Sequence, residues 1–208
     1  INLFLIATAG YLLASFSISV EISRLISGSD IREHGSENAG AANMLRIFGW
    51  KPALAVLAVD VGKGGVVAFF APFLWFADVS CPPDLLQLVA GVAAVVGHCY
   101  PPFMNFRGGK GVATAAGALF VIYPLVVCLC LVFFVAALLA FRTVSVAAVV
   151  ASLLMPVVML VLRYSFGYEV SSSNLYVVAG LSVFIVFAHR SNIARLWYGR
   201  ERKCTASG

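Results

Sequence analysis

Charged residues are scarce in this chain, and that scarcity argues against a soluble fold. Only 11% of the 208 residues are Asp, Glu, Lys or Arg, whereas 62% are hydrophobic, far from the balance of an ordinary soluble domain. The apolar runs are continuous rather than alternating, which favours helices over a transmembrane β-barrel. No polar stretch is long enough to build a second domain, so we predict a single domain over 1–208.

Several motifs with well-known chemistry are also lacking. The five cysteines form no CxxC pair or His/Cys cluster with metal spacing, so no metal or other cofactor is expected. "RGGKG" is not a Walker A motif, because Gly111 rather than Ser or Thr follows Lys110. The D-G-x-x-A-R run of CDP-alcohol phosphotransferases and the H-x-x-x-x-D motif of acyl-CoA-dependent glycerolipid acyltransferases are absent. No nucleic-acid partner is expected.

The hydrophobic runs predict an all-α integral membrane protein with a multi-pass topology. Several of them approach the ~20 residues that a helix needs to cross the hydrocarbon core. The run 112–141 is too long for one span and too short for two, and Gly117 and Pro124 interrupt it. We expect short or re-entrant helices there, and thus about seven passes in all. The runs cover 2–27, 52–77, 85–99, 112–141, 144–163 and 174–189.

The distribution of basic residues predicts the orientation. Lys and Arg concentrate in cytoplasmic loops, and here they occur in 28–51, in 100–111 and in the tail from Arg190, but not in 78–84. We therefore expect an N-terminus outside and a cytoplasmic C-terminus. The first run is too long for a signal-peptide core and lacks a basic leader, so we interpret it as a retained span.

Three polar segments fall on the predicted cytoplasmic side, where we expect them to converge at the mouth of the helix bundle. They are "HGSENAGAANMLRIFG" (34–49), "GHCYPPFMNFRGGKGVAT" (97–114) and "HRSNIARLWYGRE" (189–201). Their glycines let backbone N–H groups approach an anion, and their cations attract it. The pattern indicates chemistry on a phosphate or a carboxylate.

The first segment offers neutral hydrogen-bond donors and the guanidinium of Arg46, which can bind two oxygens of such an anion. A surface turn followed by a capped helix is the ordinary alternative, and Glu37 supports it because a carboxylate repels an anionic ligand. The candidates in this segment are Ser36, Asn38, Asn43 and Arg46.

The other two segments contribute histidines. His98 and Lys110 adjoin the second loop, for which a cationic anchor of the next span is the rival interpretation. His189 and Asn192 are three residues apart and share a helix face, although a basic membrane-edge helix explains the later cations of this segment. Ser145 either hydrogen-bonds a ligand or caps its helix.

Asp60 and Lys63 lie within the second run, three residues apart. Ionisable groups inside a membrane are costly and usually pair within the bundle. We interpret them first as a structural ion pair and second as part of the site. Mid-membrane charges also suit a transporter of an anion or phosphometabolite, which is the alternative function.

In order and spacing, the three segments resemble the signature blocks of the bacterial PlsY-type acyl-phosphate:glycerol-3-phosphate acyltransferases. "YLLASFSISVEISRLI" and "LAVDVGKG" resemble family counterparts too, so the likeness covers nearly the whole chain. The resemblance implies a seven-pass enzyme of the bacterial inner membrane with its site facing the cytoplasm. It implies acyl transfer from acyl phosphate to the 1-hydroxyl of glycerol 3-phosphate, which yields lysophosphatidic acid and phosphate in the first step of phospholipid synthesis. The partners are then these two substrates and membrane lipid.

The resemblance also implies roles for the matching residues. Arg46 and Lys110, with Ser36 and Asn38, would surround the phosphates, and His189 and Asn192 would help to hold glycerol phosphate. The remaining implied contacts are Gly108, Gly109 and Gly111, which shape the second loop, and the polar side chains of Thr114 and Ser145.

This chain departs from the family pattern at several positions. Glu37 and Ala42 replace the glycine and threonine of S-G-N-x-G-A-T-N, Ser17 replaces a usual proline, and Ser191 replaces the glutamate after "HR". Glu37 puts the phosphate cradle in question, whereas Arg46 and Lys110 are retained.

Overall fold

The computed structural model describes residues 2–74 and 82–201, and within these ranges it contains helices, turns and coil but no strand. The predicted all-α architecture is thereby confirmed. Part of the acidic loop 78–84, Cys81, Cys204 and the tail cations Arg202 and Lys203 lie outside the described residues.

Ten α-helices follow one another in the described ranges, with short 3-10 turns at Ile31–Glu33, Ala71–Leu74 and Pro102–Met104. The first six helices are α1 (Asn2–Ala14), α2 (Ile18–Ser27), α3 (Ala41–Phe48), α4 (Trp50–Phe70), α5 (Pro83–Cys99) and α6 (Val112–Ile122). The last four are α7 (Pro124–Phe141), α8 (Val144–Phe166), α9 (Ser172–Ala188) and α10 (Arg190–Trp197).

Among the described residues, five helical segments are long and apolar enough to cross a membrane. A sixth results if α9 and α10, which meet at a 54° bend, are counted as one span, and α6 is a shorter apolar helix. Multi-pass insertion thus follows from the helices themselves. The count of about seven passes and the orientation stay predictions.

The chain divides into two compact units, Ile1–Ile122 and Tyr123–Gly208. The division falls inside the run 112–141, where Pro124 starts α7 because a proline lacks the N–H that would continue the preceding helix. The expected break at Pro124 is therefore present. The expected interruption at Gly117 is wrong, since this residue lies inside α6.

The first run is also not one continuous helix. It breaks between Ala14 and Ile18, and Ser17 adopts an extended conformation ahead of α2 although no proline is present. The hydroxyl of Ser15 donates to the carbonyl of Tyr11, and Nζ of Lys63 donates to the carbonyl of Phe16. Side chains thus satisfy backbone carbonyls near the break, as an apolar environment requires.

Helix packing in the first unit depends on glycines at close crossings. A Cβ on Gly64 of α4 would lie 2.0 Å from the carbonyl oxygen of Thr114, and one on Gly117 of α6 would lie 1.9 Å from that of Val61. Only hydrogen fits in such gaps, so these glycines let the backbones of α4 and α6 touch. The contact anchors α6, whose first residue, Val112, directly follows the second polar loop.

In the second unit, α8 packs against both α7 and α9. The hydroxyl of Ser171 caps α9 by accepting from the backbone N–H of Asn174, whose side-chain amide donates to the hydroxyl of Tyr123 at 2.7 Å. The start of α9 is therefore tied to the residue that precedes α7. The opposite end of α9 leads into the third polar segment.

The contact between α4 and α6 predicts different outcomes for two glycines of the same helix. Gly64→Ala forces a methyl group against the carbonyl of Thr114 and should lower the free energy of unfolding by about 1–3 kcal/mol. Gly62→Ala, where nothing lies within 4 Å, should leave stability unchanged or slightly raised. Thermal unfolding of both variants in one detergent makes the comparison, and equal losses would contradict the packing.

Candidate active site

The side chain of Asn43 fixes the shape of the first polar segment. Its Nδ2 donates to the carbonyl oxygens of Ile31, His34 and Asn38 at 2.9 to 3.1 Å, and its Oδ1 accepts from the N–H of Ser36 at 2.9 Å. The residue is buried at the start of α3. Because its amide is engaged on both sides, Asn43 positions Ser36 and Asn38 rather than presenting donors of its own.

An ion pair just ahead of the first segment contacts the second segment. The guanidinium of Arg32 pairs with Asp30, with Nη2 to Oδ2 at 2.7 Å and Nε to Oδ1 at 3.0 Å. Its Nη1 donates to the carbonyl oxygens of Met104 and Arg107, each at 3.0 Å. The hydrogen bond from Arg32 lowers the pKa of Asp30 to about 2, although burial opposes this. The pair therefore stays ionised at physiological pH.

A second, weaker link joins the first segment itself to the second. The side-chain amide of Asn38 donates to the carbonyl oxygen of Gly108 at 3.4 Å. Asn38 and Gly108 are thus neighbours, as the expected shared phosphate site requires. Ser36 and Lys110 are half-buried beside them in sequence, and Arg46 is exposed on α3.

The glycine-rich loop lies directly on the end of α5. The N–H groups of Gly108 and Gly109 donate to the carbonyl oxygens of Cys99 and His98 at 3.1 and 3.0 Å. A Cβ on Gly109 would lie 2.0 Å from Nε2 of His98, so the imidazole ring fills the space that a side chain would need. Thr114 follows at the start of α6, fully buried, and its hydroxyl has no hydrogen-bond partner among the described residues.

The predicted ion pair between Asp60 and Lys63 is confirmed, at 2.8 Å. It is not isolated, because Nζ of Lys63 also lies 2.7 Å from Nδ1 of His98. His98 was expected to contact phosphate. Its Nδ1 lies against the pair and its Nε2 lies beside Gly109, and the phosphate contact stays a prediction.

Glu37 occupies a left-handed backbone conformation, with φ of 59°. This region suits glycine and is strained for a residue with a Cβ, which explains physically why a glycine is usual in the family pattern. The side chain is exposed between the half-buried Ser36 and Asn38. Its carboxylate therefore adds negative charge next to two candidate anion-binding residues.

The third polar segment is organised by Glu201. Its Oε1 accepts from the hydroxyl of Ser145 at 2.8 Å and from the side-chain amide of Asn192, and its Oε2 pairs with Nε of Arg195 at 2.8 Å. Burial raises the pKa of Glu201, but these hydrogen bonds and the charge of Arg195 outweigh it and hold the pKa below its usual value. The carboxylate thus fixes two predicted site residues from different helices.

His189 lies at the bend between α9 and α10, and it is buried. Its Nδ1 lies 2.8 Å from the carbonyl oxygen of Ile185. Because a carbonyl can only accept, Nδ1 carries a proton.

Sequence reasoning missed three residues that organise the site. Asp30 and Arg32 lie in the loop 28–51, where a carboxylate and an arginine two residues apart beside a glycine-rich segment indicate a local ion pair. Glu201 is the last residue of the third segment. Its role was not visible because Ser145 lies 56 positions away. Convergence of all three segments stays a prediction.

Comparisons with known proteins identify the family of the chain. The family model described as glycerol-3-phosphate acyltransferase matches residues 4–199. The glycerol-3-phosphate acyltransferase of Salinibacter ruber is 40% identical, over 99% of this chain and 93% of its own length. The enzyme of the same name from Halalkalibacterium halodurans is 38% identical, over 96% and 94%.

Solved structures extend the likeness to three dimensions. The crystal structure of PlsY, an integral membrane glycerol 3-phosphate acyltransferase, in its glycerol 3-phosphate form has a TM-score of 0.82 and 33% identity, over 98% of this chain and 96% of that one. The lysophosphatidic acid form has a TM-score of 0.79 and 32% identity, over 97% and 94%.

The helical spans and the fold thus define an integral membrane acyltransferase. The chain belongs to the glycerol-3-phosphate acyltransferase family and is of the PlsY type. It acylates glycerol 3-phosphate for phospholipid synthesis, and this membership decides against the transporter alternative.

The position of Glu37 predicts a charge effect on anionic substrates. Glu37→Gln removes the carboxylate without relieving the backbone and should lower the KM for glycerol 3-phosphate about two- to fivefold at low salt, because an exposed charge acts through water. Initial rates at low and high ionic strength measure this. Glu169→Gln, which changes another exposed glutamate, is the matched control. An equal change in KM in both variants would show that the effect does not come from the position of Glu37 beside the candidate anion-binding residues.

The lowered pKa of Glu201 predicts a loss of stability in acid. A carboxyl group whose folded pKa lies below its ordinary value of 4.5 stabilises the fold above that pH and loses its contribution as the pH falls through the folded pKa. The unfolding temperature, followed from about pH 6 to about pH 3, should therefore fall less steeply in Glu201→Gln than in the native chain. Parallel curves would contradict the role of the carboxylate. Asp30 also titrates in acid, but it is present in both proteins, so its contribution cancels in the difference between the two curves.

Proposed function

We propose that this protein transfers an acyl group from acyl phosphate to the 1-hydroxyl of glycerol 3-phosphate, giving lysophosphatidic acid and inorganic phosphate. Family membership supports the acceptor, and the 33% identical PlsY structure is described in a glycerol 3-phosphate form. The observation that supports acyl phosphate as the donor is the contact between the two glycine-bearing polar loops of the first unit. Asn38 contacts Gly108, and Arg32 binds the loop before Lys110. Acyl phosphate is the donor whose phosphate such loops suit.

The reaction is an acyl substitution whose atoms balance without a cofactor. The hydroxyl oxygen of glycerol 3-phosphate attacks the carbonyl carbon, a new C–O bond forms, and the C–O bond to phosphate breaks with its electron pair leaving on phosphate. The hydroxyl proton passes to a phosphate oxygen or to Nε2 of His189. Cations and aligned N–H donors stabilise the tetrahedral oxyanion and the departing phosphate.

We assign the proposed roles unit by unit, in agreement with the family resemblance. In the first unit, Ser36, Asn38, Arg46 and Lys110 bind phosphate oxygens, and Gly108, Gly109 and Gly111 with Thr114 shape the loop. In the second unit, His189 and Asn192 hold glycerol 3-phosphate. The hydroxyl of Ser145 lies nearby, because it donates to the same carboxylate, that of Glu201, as the amide of Asn192. Asn43 and His98 position these groups. We infer that residues 1–208 act as one acyltransferase domain, because the family model spans residues of both units.

The location of the enzyme follows from its substrates. An acyl chain gains roughly 0.8 kcal/mol per CH₂ group that leaves water, so a membrane-embedded enzyme can receive the chain from the bilayer. Polar loops at the surface then bind the headgroup. We propose the bacterial inner membrane with the polar segments facing the cytoplasm, in agreement with the basic residues of these segments.

The donor is tested by acyl transfer to labelled glycerol 3-phosphate in purified protein, with acyl phosphate and acyl-CoA compared at equal concentration. Lysophosphatidic acid should form from acyl phosphate alone. Lys110→Ala and Arg46→Ala should each lower kcat/KM by about a hundredfold or more, because an uncompensated transition-state charge remains.

The matched control is Lys51→Ala, since Lys51 is an exposed cation at the start of α4, and it should keep native activity. Product from acyl-CoA but not from acyl phosphate would refute the proposal that acyl phosphate is the donor. Product from neither, in protein shown to be folded, would refute the activity.

A further inference from the structure

A buried polar cluster connects α4 to the end of α5 in the first unit. Nζ of Lys63 lies 2.8 Å from Oδ1 of Asp60, 2.7 Å from Nδ1 of His98 and 3.2 Å from the carbonyl oxygen of Phe16. Nδ1 of His98 is also 3.4 Å from Oδ1 of Asp60. Asp60 and His98 are buried, with 3% and 6% of their surface exposed. One ammonium group thus meets three acceptors.

Charge neutralisation alone does not explain this arrangement. A carboxylate and an ammonium within a span are costly even when paired, and apolar side chains of similar volume often serve stability equally well. The ammonium donates beyond its carboxylate, to a histidine on another helix and to the backbone where the first run breaks. The cluster therefore sets the position of His98 relative to α4.

The contacts also determine which nitrogen of His98 carries the proton. Nζ of Lys63 lies 2.7 Å from Nδ1, closer than Oδ1 of Asp60 at 3.4 Å. The shorter contact favours an Nδ1 that accepts from the ammonium, because a proton on Nδ1 would face another donor. The neutral ring with its proton on Nε2 is the form that fits, whereas Nδ1 of His189 carries a proton.

Nε2 of His98 in turn borders the glycine-rich loop. The ring occupies the space beside Gly109, where a Cβ would come within 2.0 Å of Nε2, and the backbone of His98 accepts from the N–H of Gly109. Lys110 is the next residue. The orientation of this ring therefore decides where the backbone ahead of Lys110 can lie.

We propose that Asp60 and Lys63 are positioning residues of the acyl-transfer site: through Nδ1 of His98 they fix the ring that supports Gly109, and thereby the placement of Lys110. The inference rests on the proposed function, in which Lys110 binds phosphate. It assigns the intramembrane ion pair a role in catalysis beyond its role in stability, although neither residue touches substrate.

The decisive variant removes the ammonium and the charge of its partner together. Asp60→Asn/Lys63→Met leaves no unpaired buried charge, so it should fold, but His98 loses the donor at Nδ1. We expect kcat/KM to fall roughly tenfold to a hundredfold, because supporting residues and small misplacements have effects of this size. The loss should appear mainly in the KM of the phosphate-bearing substrates.

Asp60→Asn alone retains the contact between Lys63 and His98 and should keep more activity than the double variant. Glu21→Gln, from the other i,i+3 pair, and Lys51→Met, on the same helix as Lys63, are the matched controls and should be near native. A folded double variant with native kcat/KM would overturn the proposal.

The protonation of His98 gives a readout that is independent of turnover. The chain has only three histidines, so nitrogen NMR of protein labelled at histidine can resolve them. In the native protein His98 should show an unprotonated Nδ1 and a protonated Nε2, and the double variant should lose this signature. A native ring protonated at Nδ1 would overturn the proposal. If the native enzyme makes no product from acyl phosphate, the proposed function fails instead, and the NMR result still decides the geometry of the cluster.

Discussion

The guanidinium of Arg32 ties the turn that leads into the first polar segment to the second polar segment. It satisfies the carboxylate of Asp30 with two of its nitrogens and the carbonyl oxygens of Met104 and Arg107 with the third. Arginine suits this position because its guanidinium group is planar and always charged. This link ties the 3-10 turn Ile31–Glu33 to the glycine-rich loop, which has little regular secondary structure of its own.

The polar segments are supported by neighbours that act on backbone rather than on substrate. The amide of Asn43 sets the turn that bears Ser36, and the ring of His98 supports Gly109. In the second unit, the carboxylate of Glu201 holds Ser145 and Asn192. Preorganised donors need no rearrangement when charge develops on the reacting oxygen. An enzyme whose substrate already carries a good leaving group depends chiefly on such placement.

Sequence reasoning predicted the parts of this fold that depend on composition and local spacing. Long apolar runs indicated spans, Pro124 indicated a break, and the three-residue spacing of Asp60 and Lys63 indicated an ion pair, because each signal is local. The roles of Asn43, His98 and Glu201 were not predictable, since they depend on side-chain direction and on partners distant in sequence. The break in the first run near Ser17 was also not predictable from local spacing. The usual proline is absent there, and the donors beside the break are the hydroxyl of Ser15 and the ammonium of Lys63, which is distant in sequence.

Arg32 tethers the two loops in the arrangement that we propose binds phosphate. Arg32→Lys keeps the charge but loses the planar guanidinium, so one ammonium cannot serve the carboxylate and both carbonyl oxygens in the same geometry. Calorimetric titration of the native protein and this variant with inorganic phosphate, the group that these loops are proposed to bind, measures the effect. We expect phosphate binding to be weaker by about tenfold or more in a variant that stays folded. Native affinity in the folded variant would show that this tether does not hold the phosphate site.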